Sequence, residues 1–176
     1  MKYKTMFLGL IAVVILGVGI QMLNPGHDIS VREPNTFVLS KRLQSQDFQI
    51  NRVTIRDGRI IENKVIVDQS RLKVESAEDY KLDTIKFRFW DREIIVELVT
   101  KDQKIITFTE SVELEALTNR YMCSESIQNL EFGQSYILGY ASNSIYAYNS
   151  TLTDLYTQIQ EGSNVDEFVV LTLQFI

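Results

Sequence analysis

A chain of 176 residues, 45% hydrophobic and 23% charged, is long enough for one domain with a real core. Its 18 basic and 23 acidic residues leave a net charge of −5, which argues against binding nucleic acid or anionic lipid, since both reward the opposite sign. The single cysteine, Cys123, excludes an internal disulfide and reads as a small buried hydrophobe rather than a reactive thiol.

The chain begins with a lysine-flanked apolar run. Met6–Leu23 carries no Asp, Glu, Lys or Arg, and Gln21 is its one polar side chain. As a helix it would span roughly 27 Å, close to the hydrocarbon thickness of a bilayer. Lys2 and Lys4 precede it, so residues 1–5 are expected as a cytoplasmic stub and 6–23 as a transmembrane helix. A cleaved signal peptide is the rival reading. Its only small-x-small candidate, Gly17-Val18-Gly19, lies inside the run, which favours a retained anchor. Residues 24–35 hold both prolines, Pro25 and Pro34, together with Gly26, and read as a linker to an outer domain over 36–176.

Beyond the run the chain carries 16 basic and 23 acidic residues. Asp28–Lys101 is near neutral, whereas Asp102–Ile176 has only Lys104 and Arg120 against 10 acidic residues. A solvated face explains that imbalance, and a docking face for a basic partner is the sharper alternative.

The next segments read as β-hairpins. Asp47–Arg56 and Arg59–Asp68 flank Asp57-Gly58, a strong two-residue turn signal. A short strand is expected at Arg71–Ser76. Thr84–Trp90 alternates cleanly, with Ile85, Phe87 and Phe89 against Lys86, Arg88 and Trp90. Glu93–Thr100 and Lys104–Glu110 extend it as a meander. Ser111–Cys123 breaks the period: Leu114, Leu117 and Tyr121 form a helical stripe behind Ser111 as N-cap. Ser135–Ala141 and Ser144–Asn149 read as a further hairpin. Thr151–Gln160 is a second helix, with Thr151 and Asp154 as a capping box and Gly162 to end it. A strand over Asp166–Phe175 follows. The expected fold class is therefore α+β and mostly β: a transmembrane helix, then an antiparallel meander or barrel-like sheet with two helices.

Most enzyme templates lack parts. His27 is the only histidine and sits in the linker, so histidine triads and His/Cys metal sites cannot be assembled. The glycines after the run are scattered, without a phosphate loop. The expectation is no catalytic residue, no metal ligand and no cofactor, so the chain reads as a non-enzyme.

Two features suit binding. Tyr136, Tyr140, Tyr146, Tyr148 and Tyr156 place five of eight tyrosines within 21 residues. Tyr136 and Tyr140 share strand parity, as do Tyr146 and Tyr148, so each pair is a candidate for lining a ligand or partner face. An aromatic ladder that stabilises the sheet is the plainer explanation. The second feature is the two-sided apolar strand Glu93–Thr100, with Ile60-Ile61 as a shorter instance. Such strands are covered on both faces by a helix, a ligand or another chain.

The lysine-flanked start MKYKTMFLGLIAVVILGVGI, the short linker and a β-rich outer domain of this length together resemble a family. It comprises the small single-pass partners of membrane-bound winged-helix transcription activators in enteric bacteria, the ToxS, VtrC, PsaF/MyfF and FidL-type proteins. The resemblance is one of architecture and transfers no residue. It implies an inner-membrane protein with a cytoplasmic N-terminus and a periplasmic lipocalin-like barrel. That domain would bind and stabilise the activator, in some pairs through a shared cavity for an amphipathic ligand such as bile salt. A structural subunit of an envelope secretion or pilus assembly is the alternative, and a periplasmic hydrolase built on paired carboxylates a third.

Overall fold

Period-two segments become strands wherever the structure describes them. In the computed structural model these described residues are 27–68, 81–123, 126–143, 151–161 and 167–176. The expected transmembrane helix over Met6–Leu23, the strand at Arg71–Ser76 and the hairpin arm Ser144–Asn149 lie outside them. Among the described residues no helix is long and apolar enough to cross a membrane.

Among the described residues ten strands form two antiparallel sheets. The first contains β1 (Ile29–Glu33), β2 (Thr36–Leu39), β5 (Leu82–Trp90), β6 (Glu93–Thr100) and β7 (Ile105–Ser111), in that spatial order. The second runs β4 (Arg59–Asp68), β3 (Phe48–Arg56), β10 (Glu167–Phe175), β9 (Ser135–Ser142) and β8 (Asn119–Met122). One helix, α1 (Leu152–Glu161), is present among the described residues. Among the described residues, the expected single meander or barrel-like sheet with two helices is thus corrected to two antiparallel sheets and one short helix. The meander survives locally as β5–β6–β7.

The sheets face each other across one large core. Phe37, Ile85, Phe87, Ile94, Val96 and Leu98 come from the first sheet, and Phe48, Ile50, Leu138, Val169, Leu171 and Phe175 from the second. Phe37 stacks on Phe87 at 5.9 Å, and Phe48 meets Phe175 at 6.3 Å. A smaller core lies on the opposite face of the second sheet, where Leu155 and Ile159 of α1 cover Val53, Ile55, Ile137, Tyr140, Phe168 and Val170. The central strands of the second sheet are therefore buried on both faces. Its strands β3, β9 and β10 are buried almost throughout.

Turn chemistry sets the registers. Asp57 and Gly58 both adopt positive φ, 51° and 68°, as a two-residue turn between twisted strands demands. Pro34-Asn35 turns β1 into β2, with Asn35 at φ 74°. The segment expected as a linker thus supplies the first strand, because Ile29 is fully buried and Val31 packs against the core. The helix α1 begins as expected: Asp154 N–H donates to Thr151 Oγ1 at 3.1 Å, and the Thr151 hydroxyl donates to the Asp154 carboxylate at 2.6 Å.

Ser111–Cys123 is not a helix. Ser111 ends β7, Leu114 and Leu117 are buried from a turn, and Asn119–Met122 pairs with β9 as an edge strand. Arg120 donates to the carbonyls of Leu117 and Leu114, satisfying the turn from outside. A pairing partner and a side-chain cap outweigh a three-residue helical stripe. Cys123 is buried, in accord with its reading as a small hydrophobe.

The edge strand β1 is tied to the connection between β8 and β9 by a bridge between Ile29 and Ile127. Beside it Asp28, 8% exposed at its side chain, accepts from Arg42 Nε at 2.6 Å, Arg42 Nη2 at 2.5 Å and Leu130 N–H at 2.7 Å. The Arg42 hydrogen bond holds the Asp28 carboxyl below the usual carboxylate range. Asp28→Ala should cost about 2–3 kcal/mol at neutral pH, reduced from a fully buried pair because Arg42 is half exposed. Because the native pKa is lowered, this contribution is intact above about pH 4 and fades as pH falls through the native value. Urea midpoints of both proteins across pH 2.5–7 check it, and the gap should narrow toward the acid end.

Candidate functional site

The apolar pattern of the inter-sheet core stops at one end. On β3 the inward register runs Phe48, Ile50, Arg52, Thr54, Arg56, and on β7 it runs Ile106, Phe108, Glu110. Both strands change from apolar to charged at the same level. Arg52, only 8% exposed, therefore lies between the sheets. Such a cation persists only with partners, since desolvating it alone is costly. Its Nη2 pairs with Glu62 of β4 at 2.7 Å, and its Nε lies 3.5 Å from Glu110 of the opposite sheet. Lys64 reaches the same Glu110 oxygen at 2.7 Å. This charged group joins the two sheets at the edge where β4 approaches β7.

Beyond it the edges separate into a cleft of about 420 Å³. The floor is Arg52 and Thr54. The walls carry Arg56 and Glu62 from one sheet, and Arg92 and Glu113 from the turns of the other. Ile61, Val112 and Val169 add an apolar strip. A contiguous cleft of about 300 Å³ shares Arg56, Arg92, Glu113 and Glu167 and continues to Glu115. Arg56 pairs with Glu167 at 2.5 Å and Arg92 Nε donates to Glu115 at 2.6 Å; each glutamate holds its arginine's pKa above the ordinary value. Glu113 acts electrostatically on both arginines but has no ion pair or hydrogen bond of its own among the described residues. Arg52 Nε likewise lacks a hydrogen-bond acceptor.

The tyrosines expected to share a face do not. Tyr136 belongs to the inter-sheet core, where its hydroxyl accepts from Glu131 N–H at 2.8 Å. Tyr140 belongs to the helix-side core, stacked on Tyr121 at 4.9 Å and edge-on to Phe168 at 5.9 Å. Burial raises the Tyr140 pKa. A bulge explains the split. Leu171 pairs with Gly139 and Thr172 with Ile137, so Leu138 is the extra residue and parity reverses across it. Tyr146 and Tyr148 lie outside the described residues.

The two-sided strand also resolves differently. Ile94, Val96 and Leu98 face the core, while Ile95 and Val99 lie on the outer face beside Arg88, Thr109, Thr84 and Ile105 of the neighbouring strands. The helix covers the second sheet instead. Ile60 and Ile61 are 46% and 52% exposed on β4, an edge strand of its sheet. Sequence reasoning missed Arg52 and Glu110. Their signal was the inward register itself, apolar and then charged, once the two strands are set face to face.

No protein-family model matches the chain, and neither a curated protein nor a solved structure matches it significantly.

Proposed function

We propose that this chain is a non-enzymatic regulatory accessory, anchored at the inner membrane by its apolar N-terminal run. Its β-domain lies in the periplasm and binds and stabilises a membrane-bound transcription activator. The observation that supports this reading is the outer end of β4. Residues Arg59–Lys64 form an exposed edge, with Ile60 and Ile61 half exposed beside a charged cleft. Among the described residues no strand pairs with the outer edge of β4, and an edge with protruding isoleucines suits β-strand addition by a partner, in which backbone hydrogen bonds give affinity and side chains give selectivity. The mixed charges beside it would steer and orient that partner.

The test is capture of the full-length protein from mild-detergent membranes, with bound chains identified. A stoichiometric membrane-anchored activator is expected, and Ile60→Lys with Ile61→Lys should reduce its recovery at least tenfold. Both side chains are exposed, so the substitutions should shift the melting temperature little. Recovery of a large secretion or pilus complex would support the structural-subunit alternative. Undiminished capture by the double variant would remove β4 as the interface.

A further inference from the structure

We infer that the cleft between β4 and β7 is a seat for a small zwitterion, an α-amino acid or short peptide with an aliphatic side chain. This goes beyond the accessory reading and needs no partner chain. Arg52 is more than nine-tenths buried; its Nη2 pairs with Glu62 at 2.7 Å and its Nη1 donates to Thr54 Oγ1 at 3.4 Å, yet its Nε has no hydrogen-bond acceptor and its pairing with Glu110 is long at 3.5 Å. A guanidinium presents five donors in a fixed plane, and a carboxylate is the acceptor that matches them. Glu113, without a partner among the described residues, supplies the opposite charge at the cleft's other wall. An ammonium group is its natural complement.

The balance of charge selects among ligands. Arg52, Arg56 and Arg92 in the lining are offset by Glu62, Glu113 and Glu167. The lining carries equal numbers of both signs, and a zwitterion meets both without leaving an excess of either. Ile61, Val112 and Val169 leave an apolar strip for an aliphatic side chain. The volume, about 420 Å³, is that of a small-molecule pocket.

The experiment is titration of the full chain in mild detergent with L-leucine and leucyl-leucine, by calorimetry and thermal shift. N-acetyl-leucine lacks the ammonium and leucinamide lacks the carboxylate. Saturable binding of a zwitterion is expected, with at least tenfold weaker binding of each blocked compound. Arg52→Gln should abolish the signal. Because that change also disturbs Glu110, the exposed Glu113→Gln is the second variant: it should leave melting unchanged, weaken leucine at least tenfold and leave any residual N-acetyl-leucine binding unaltered. Equal affinity for N-acetyl-leucine, unaltered leucine binding in Glu113→Gln, or no binding at millimolar concentration would overturn the proposal. None of these outcomes bears on capture of a membrane partner through β4.

Discussion

Deleting Glu167–Ile176 is expected to leave a chain with no cooperative unfolding transition. These residues form the central strand of the second sheet, paired with β3 along its whole length and with β9 along most of it. Phe168, Val169, Val170, Leu171, Leu173 and Phe175 are all buried. At roughly 1.5–3 kcal/mol for each fully buried apolar side chain, their loss removes on the order of 10 kcal/mol. A domain of this size holds about 5–15 kcal/mol in total, so the deletion consumes the whole margin. Both cores lose a wall, because odd-numbered residues of β10 face the opposite sheet and Phe168 and Val170 face α1. Leu171→Ala is the graded version and should cost about 2–5 kcal/mol. A deleted chain that still melted cooperatively would refute the strand order.

Gly139→Val should be the most damaging single substitution on β9. A Cβ at Gly139 would stand 2.7 Å from Phe87 Cζ and 2.7 Å from the backbone oxygen of Tyr121. The first contact is across the sandwich, the second along the pairing with β8. One neighbour is a packed ring and the other is backbone, so neither yields cheaply. Gly139→Ala should cost about 2–3 kcal/mol, and Gly139→Val more. Phe87→Ala alone should cost about 3–5 kcal/mol through the cavity it leaves. Combined with Gly139→Ala it should cost less than the sum, because the alanine methyl then occupies space the ring vacated. Strict additivity in urea unfolding would contradict this packing.

Much of the strand pattern could be read from the residues. Arg59–Asp68 and Glu93–Thr100 occur with the expected bounds, and Asp57-Gly58 makes the turn between β3 and β4 because both residues tolerate positive φ. The capping residues Thr151 and Asp154 likewise mark the start of the helix. The misreadings have physical causes. Leu114 and Leu117 are buried at helical spacing, but Asn119–Met122 gains a full set of ladder partners on β9, which local periodicity cannot register. Tyr136 and Tyr140 have the same parity, and a single bulge residue sends them to different cores. Ile94-Ile95-Val96 suggested a doubly covered strand, whereas Phe168–Leu171 is one, flanked on both sides by strands distant in the chain. The charged cleft was hidden for the same reason: Arg52 and Glu110 are 58 residues apart, and only the facing of two sheets brings them together.

The edge proposed to take a partner is β4. Amide hydrogen exchange of Arg59–Lys64, measured in the free chain and in the complex recovered from membranes, tests it. Strong protection of these amides on binding, with smaller changes at β10, is the expected result. Unchanged exchange along β4 alongside new protection on the outer face of the first sheet would contradict it, and would move the interface to Arg88, Trp90 and Ile95.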